Sequence, residues 1–362
     1  MDNETSNMTD HCSDPLPYSD KYFQDISTVE LVFVIASAVL TVVVCLIFFE
    51  SVWYLNKYYH SWHTKVFSVW QIGLHPAISL TSMLTVVVPR SSVINSLISS
   101  VYVSISLHIF MRLIIHYHGG EKNMVRTMSG EKIPLRSPPL ACCICCCPKI
   151  TLTRSNLKRI KYLVHQVVFL RPILKFLGAV MWTDGRYTKG KIDVFDSFIY
   201  ITVLNVVSSL VAVYGLVLLY RASKKHLKKF HIMAKYINLK VVMVVTSLQQ
   251  LVFTILSHYN VPACTGYNTA MARGNSFNNM LLIGEMFVLT LLARYYYRKP
   301  EEPITLAEIE SYDASTESIT DRHVQTVSQI SSISNNSKDA IPQSNGFACT
   351  NPATKMDEQV ES

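Results

Sequence analysis

Charged residues are scarce in this sequence. Asp, Glu, Lys and Arg together make up 16% of its 362 residues, whereas hydrophobic residues make up 49%. Soluble domains carry about 25% charged residues, so the composition argues against an ordinary soluble domain. The charges that are present leave long stretches uninterrupted, and the sequence therefore predicts an integral membrane protein.

Motifs of well-known enzyme chemistry are missing. The sequence contains no P-loop, no Gly-x-Ser-x-Gly, no His-Glu-x-x-His and no paired aspartates within an apolar run. Such motifs position phosphates, nucleophiles or metal ligands. We therefore expect a protein that is not an enzyme, with no cofactor, no metal and no nucleic-acid partner.

A basic leader is also missing. Residues 1–28 carry Asp14, Asp20 and Asp25 against Lys21 alone among the basic residues, which is the opposite of a cleavable signal peptide. We expect the first apolar run to insert as an uncleaved anchor.

Seven apolar runs are long enough to cross a hydrocarbon core ~30 Å thick at ~1.5 Å per helical residue. They are Leu31–Phe49, Val66–Val88, Val93–Ile115, Ile160–Trp182, Phe195–Tyr220, Ile237–Ser257 and Phe277–Tyr297. Unpaired backbone amides are costly in lipid, so each run is expected to be helical. The predicted fold is an all-α polytopic membrane protein with seven transmembrane helices. We divide it into a tail (1–28), a transmembrane domain (29–298, with a Cys-rich loop at 116–159) and a second tail (299–362).

The distribution of Lys and Arg predicts the orientation. Sixteen of these residues fall in the loops that would be cytosolic if the N-terminus is outside, and six fall in the other segments. Basic residues concentrate on the cytosolic side, so the N-terminus is expected outside and the C-terminus inside. The sequons at Asn3 and Asn7 would then be glycosylated, whereas the one at Asn335 would not. The Ser-, Thr- and Asn-rich residues 299–362 are expected to form a disordered cytosolic tail.

Five cysteines lie in one short run before the fourth apolar stretch. They are Cys142, Cys143, Cys145, Cys146 and Cys147. Cytosolic cysteines beside a basic segment and a helix start are typical S-palmitoylation sites. A zinc site is one alternative, but its usual spacing and accompanying His are absent. A cysteine run without a special role is the other alternative. Elsewhere, Cys12 and Cys264 would both lie outside the cell, where a disulfide between them is compatible with the oxidising environment.

Ionisable side chains inside the apolar runs are candidate binding residues, because charge at membrane depth is costly unless it faces a cavity or a partner. Lys161, His165, Arg171 and Lys175 fall within a third of the circumference of the fourth helix at ~100° per residue. A cationic face of this kind suits an anionic solute. The alternative is that these cations pair with buried acids or with lipid phosphates, and Lys161 can simply extend to the membrane surface.

Other polar groups at membrane depth complete the candidate site. Glu285 is the carboxylate deep in the seventh run, where it is expected to neutralise Arg171 or Lys175 or to sense substrate or protons. Asn205 with Ser208 and Ser209 in the fifth run, and Gln249 with Gln250 in the sixth, are further candidates for binding, although such residues also join helices by hydrogen bonds. His75-Pro76 is expected to kink the second run.

Several motifs, in order along the chain, resemble the organic solute transporter alpha subunit family. They are Val88-Pro89-Arg90, His118-Gly119-Gly120-Glu121, the Cys-rich run, Leu170-Arg171-Pro172, Tyr214-Gly215-Leu216 with Tyr220, then Leu227, Phe230, Lys235 and Lys240, Ser247-Leu248-Gln249-Gln250, and Glu285-Met286. The resemblance covers about residues 30–298. It departs at Gln249, where the family commonly has Trp, so the chain is similar to a divergent member.

The resemblance implies a transporter subunit that moves bile acids, conjugated steroids and similar amphipathic anions by facilitated diffusion. It also implies a single-span beta subunit as partner and a location in the plasma membrane, with endosomal vesicles as a further location. Membrane lipids are expected partners, and a homo-oligomer is compatible with the sequence.

Two other functions share this topology. A seven-span receptor is disfavoured because no acid precedes Arg112 at the end of the third run and the seventh run lacks Asn-Pro-x-x-Tyr. A trafficking or scaffold protein without solute flux would use the Cys-rich loop and the tail.

Overall fold

Long helices make up most of the protein in the computed structural model, which describes residues 17–59, 61–128, 132–133, 150–187, 195–265 and 268–299. The helices are α1 (Ser19–Gln24), α2 (Thr28–Tyr58), α3 (Trp62–Ile72), α4 (Leu74–Val87), α5 (Ser92–Tyr117), α6 (Glu121–Thr127), α7 (Arg154–Thr183), α8 (Ser197–Ser223), α9 (Ile232–His258) and α10 (Ala270–Tyr297). Short 3-10 turns cover Pro89–Ser91 and Lys228–Phe230. Strand β1 (Lys132–Ile133) precedes the Cys-rich run in the sequence and strand β2 (Ile150–Thr151) follows it, and the two strands pair antiparallel. The helical fold is confirmed, with this small ribbon as the exception.

Six of the described helical segments are long and apolar enough to cross a membrane: α2, α5 with the preceding turn, and α7 to α10. They coincide with six of the seven predicted runs. Val66–Val88, the remaining run, forms the shorter α3 and α4. The count of seven crossings therefore stays a prediction, as does the orientation of the termini.

The interruption of this second run lies at Gly73, three residues before the expected kink at Pro76. Pro76 has no N–H and cannot donate to the carbonyl of Ile72, four residues earlier. His75 Nδ1 lies 3.1 Å from that carbonyl oxygen and supplies a donor in its place. His75 Nε2 lies 3.3 Å from the amide nitrogen of Asn238 on α9. The break is thus stabilised by a fully buried histidine that also joins α9.

Helix α5 connects two groups of helices. It packs against α3 and α4 on one hand and against α7 and α8 on the other, and its residues Leu107, Phe110 and Leu113 are fully buried. Helices α7 and α8 pack closely against each other. Helix α10 packs against α2, α4 and α9, so these helices form the second group.

Polar side chains join the helices inside the bundle. Asn95 Nδ2 on α5 donates to Thr85 Oγ1 on α4 at 3.1 Å, and Gln71 Nε2 on α3 donates to the Ser106 carbonyl on α5 at 2.6 Å. Interhelical hydrogen bonds of this kind are typical of membrane bundles, where apolar burial gives little driving force between helices.

Ion pairs join α2 to α10 near both of their ends. Glu30, in the first turn of α2, pairs with Arg273 Nη2 at 2.7 Å. Near the other end, Glu50 pairs with Arg294 Nε at 2.9 Å and with Arg298. These contacts fix the position of α10 along α2.

The outer surface of the long helices is apolar. Leu46 on α2 is 61% exposed and Leu248 on α9 is 58% exposed, and many other large apolar side chains are exposed beside them. Such a surface is unfavourable in water and suits a lipid environment. It supports a multi-pass membrane protein.

The described part of the predicted N-terminal tail packs on the helices. Tyr22 on α1 is 2% exposed, and its carbonyl accepts a hydrogen bond from Asn268 Nδ2 at 3.2 Å. Residues 1–16 and 300–362 lie outside the described residues. The predicted glycosylation of Asn3 and Asn7 and the predicted disorder of residues 299–362 therefore stay predictions.

Candidate functional site

The four basic residues of the predicted cationic face lie on α7, which packs against α5 and α8. Each has a polar partner on a neighbouring helix: Lys161 with Glu121 of α6, His165 with His108 of α5, Arg171 with Ser209 of α8, and Lys175 with Ser96 of α5. The sequence prediction that these residues face the bundle interior is compatible with these partners. The face runs from the beginning of α7 to beyond its middle.

Arg171 is the most enclosed of the four. Its side chain is 7% exposed, and Nη2 donates to Ser209 Oγ at 2.6 Å. Ser209 Oγ donates its own hydrogen to the Asn205 carbonyl at 2.6 Å, so its lone pairs are available to Arg171. Arg171 Nε is buried and has no hydrogen-bond partner among the residues that the structure describes. A planar guanidinium thus lies between α7 and α8 with a donor left over.

The expected ion pair between Glu285 and the cations of α7 is not formed. Arg171 and Lys175 have no carboxylate partner among the described residues, and Lys175 Nζ contacts Ser96 Oγ at 3.3 Å. Glu285 Oε2, on α10, is buried and has no hydrogen-bond partner in the described part of the chain. The reason is the packing, because α10 contacts α2, α4 and α9 extensively, whereas α7 contacts α5 and α8.

The beginning of α7 lines an open cleft of about 640 Å³, which we call the histidine cleft. Its imidazoles are His63 of α3, His108 and His116 of α5, and His165 of α7. The Nδ1 atoms of His108 and His165 lie 3.2 Å apart, and the rings of His63 and His116 have centroids 5.6 Å apart. The histidines therefore lie in two pairs.

The other walls of the histidine cleft are cationic and apolar. Arg112, Lys158 and Lys161 contribute positive charge, and Glu121 is the acid that pairs with Lys161. Phe67, Met111 and Ile115 contribute apolar surface. Ligand pockets usually measure about 300–1,000 Å³. A cleft of this size, with excess positive charge beside apolar walls, is suited to an amphipathic anion.

The remaining predicted site residues divide between two interfaces. Asn205 Oδ1 on α8 is buried near Arg171 and has no hydrogen-bond partner within the described ranges. On α9, Gln249 Nε2 donates to the Asn278 carbonyl of α10 at 3.4 Å, and Gln250 Nε2 lies 3.5 Å from Thr254 Oγ1. The two glutamines thus have local partners on α9 and α10. The structure places Asn205 with Arg171, Lys175 and His165, and it places Gln249, Gln250 and Glu285 in the other group of helices.

Sequence reasoning missed most of the histidine cleft, including His63, His108, Arg112 and His116. His63 lies on α3 and the other three lie on α5, and their proximity to His165 depends on how α3, α5 and α7 pack. One signal was present, since His108, Arg112 and His116 are spaced four apart in the third apolar run and so share one helix face.

Cys264 is disulfide-bonded, and the other described cysteine, Cys45, is free. The partner of Cys264 therefore lies outside the described residues, as Cys12 does, and the pairing of these two stays a prediction. Cys142, Cys143, Cys145, Cys146 and Cys147 also lie outside them. Within the described residues, no group of three or more His, Cys, Asp or Glu side chains is arranged to hold a metal ion.

Comparison with known proteins finds a family model and several relatives that cover most of the chain. The family model described as organic solute transporter Ostalpha matches residues 33–303. The chain is 26% identical over 304 residues to the organic solute transporter subunit alpha of Danio rerio, covering 83% of this chain and 93% of that protein. It is 25% identical to the subunit alpha of Homo sapiens, covering 83% and 89% of the two chains. It is 27% identical to the organic solute transporter alpha-like protein 3 of Caenorhabditis elegans, covering 81% and 83%. No solved structure matches the chain.

Proposed function

Since the chain belongs to the organic solute transporter Ostalpha family, we propose that it is a membrane transporter subunit that carries amphipathic organic anions by facilitated diffusion. Bile acids and conjugated steroids are the solutes we expect. A solute transporter family does not point to an enzyme, in agreement with the missing catalytic motifs.

The observation that carries this proposal is that Arg171 is buried and has no carboxylate partner among the described residues. A buried guanidinium without an acid partner attracts an anion strongly, since two opposite charges ~4 Å apart interact by about 4 kcal/mol at an effective dielectric of ~20 and by only about 1 kcal/mol in water. Its unpartnered Nε and its Nη2 lie on one edge of a planar group that can bind both oxygens of a sulfate or carboxylate. Arg171 therefore serves as the recognition residue in the proposed function.

The histidine cleft, Arg171 and Lys175 follow one another along α7, and together they form the path that we propose for the anion. His165 lines the cleft, Arg171 follows six residues later on α7, and Lys175 follows one turn beyond. In the orientation that the Lys and Arg distribution predicts, the cleft opens toward the cytosol. An anion that enters there would meet Arg171 and then Lys175, each of which contacts a serine that the anion can replace.

The same proposal includes features of the assembled protein. An alpha subunit family implies a partner subunit, and we propose a single-span beta subunit that stabilises the chain and delivers it to the plasma membrane. The five clustered cysteines are proposed palmitoylation sites. Acyl-biotin exchange on a variant with all five changed to Ser tests this, and undiminished labelling would place the lipid elsewhere.

Solute flux tests the function. Radiolabelled steroid sulfate or bile acid uptake is measured in cells that express this chain with and without a candidate single-span partner. We expect uptake above that of cells without the chain, driven by the solute gradient. Surface expression with the partner but without any uptake of either solute would contradict the proposed function and favour a trafficking or scaffold role.

A further inference from the structure

The His108–His165 contact limits how many protons these two rings can hold. A hydrogen bond between two Nδ1 atoms 3.2 Å apart needs one N–H donor and one bare acceptor nitrogen. The neutral pair meets this requirement, and so does the pair with one added proton, because the added proton goes to Nε2 of the donor ring. A second added proton would place two N–H groups against each other. The contact is therefore a site for one exchangeable proton.

Charged and titratable groups face this pair from every helix around the cleft. Helix α3 supplies His63, α5 supplies Arg112 and His116, α6 supplies Glu121, and α7 supplies Lys158 and Lys161. Glu121 is engaged by Lys161, so the net field at the pair is positive. An anion in the cleft relieves the repulsion between an added proton and these cations.

We propose that the histidine cleft binds an organic anion together with one proton, which is held by the His108–His165 pair. This inference rests on the proposed anion transport and adds a second bound species to it. The proton comes from the solvent, and no bond other than the N–H bond forms. Because the coupling between two ligands is reciprocal, the anion binds more tightly as the pH falls through the range in which the pair takes up its proton. Full linkage to one proton changes the dissociation constant by about tenfold per pH unit.

Another buried histidine near the cleft does not contribute. His118 follows α5 directly, and burial together with the nearby His226 lowers the pKa of His118 to about 4. His118 is also not among the residues that line the cleft, so an anion bound there does not contact it directly.

Calorimetry on the purified full-length protein in lipid nanodiscs tests the proposal. The probe is a steroid sulfate, whose sulfate stays ionised throughout the range. Titrations at about pH 6 and about pH 8, each in two buffers with different ionisation enthalpies, give both the dissociation constant and the number of protons taken up. The comparison variants are the double change His108→Gln with His165→Gln, and His258→Gln, which alters an exposed histidine at the far end of α9.

The wild-type protein and His258→Gln should bind the probe at least about tenfold more tightly at the lower pH and take up between about half a proton and one proton in this range. The double variant should lose most of both effects while it still binds at high pH. Probe binding to the wild type without proton uptake would overturn the proposal and leave anion transport standing, and so would unchanged proton uptake in the double variant. The absence of probe binding at either pH would also overturn it, whereas the uptake experiment on cells decides the proposed function separately.

Discussion

Arg171 shows what single residues contribute to this protein. A buried guanidinium normally pairs with an acid, because removing it from water is costly. Here its described partner is the Ser209 hydroxyl, and the carboxylate of Glu285 lies in another group of helices. A hydroxyl is a weaker partner than a carboxylate, so an anionic solute can compete for the guanidinium.

Gly73 offers a second test at the scale of one residue. A methyl group there would overlap the Tyr102 hydroxyl oxygen, whereas the next nearest atoms, the Val69 carbonyl oxygen and a Phe48 ring carbon, would lie at 3.1 and 3.4 Å. Gly73→Ala should therefore destabilise the protein by about 1–3 kcal/mol through overpacking. Thermal melting of the purified variant measures the loss.

Two further variants separate this clash from a general effect of alanine. Adding Tyr102→Phe to Gly73→Ala removes the overlapping oxygen and should restore part of the stability. Gly284→Ala, where a methyl would meet nothing within 4 Å, should leave the melting temperature unchanged or raise it. Equal melting of Gly73→Ala and the wild type would show that α3 and α4 do not lie this close to α5.

The candidate site was partly accessible from the sequence for a physical reason. Arg171, Lys175 and His165 belong to one helix, and helical periodicity alone puts them on one face. Their partners lie on other helices, and periodicity carries no information about which helices become neighbours. For this reason the predicted pairing with Glu285 was wrong, and for the same reason the contact between His108 and His165 was not predicted.

At the scale of helices, the ion pair between Glu30 and Arg273 is a clear stabilising contact. Both side chains are largely buried, and Glu30 also accepts from the Ser27 backbone in a capping box at the start of α2. Arg273→Met leaves that carboxylate without its charge partner and should destabilise the protein by about 3 kcal/mol. Thermal melting or resistance to denaturant measures the effect.

The matched control is Arg186→Met. Arg186 pairs with Asp184 at 3.2 Å, but both side chains are more than 70% exposed, at 78% and 73%. Exposed pairs contribute little, so this variant should melt with the wild type. If Arg273→Met and Arg186→Met have the same melting temperature, the ion pair between Glu30 and Arg273 does not hold α2 and α10 together.

The long helices followed directly from the apolar runs, but the break in the second run did not. Pro76 was the visible signal, and it predicted a kink at its own position. The structure places the interruption at Gly73, since His75 takes over the Ile72 carbonyl that Pro76 cannot reach. His75 also contacts Asn238 of α9, and local sequence patterns do not predict such a contact between distant helices.

At the scale of the whole molecule, the orientation in the membrane decides which side the histidine cleft faces. The excess of sixteen basic residues over six predicts that the cleft is cytosolic and that Asn3 and Asn7 are extracellular. Endoglycosidase treatment should therefore shift the mobility of the wild type and of an Asn335→Gln variant. A shift that disappears only with Asn335→Gln would reverse the orientation.

The uptake rate of steroid sulfate in Arg171 variants tests the central claim most directly. The wild type, Arg171→Ala, Arg171→Lys and the exposed control Arg186→Ala are compared at equal surface abundance, in cells that also express the single-span partner. We predict that Arg171→Ala abolishes uptake, that Arg171→Lys retains part of it because Lys keeps the charge but not the planar pair of donors, and that Arg186→Ala transports normally. Uptake by Arg171→Ala at the wild-type rate would contradict the account.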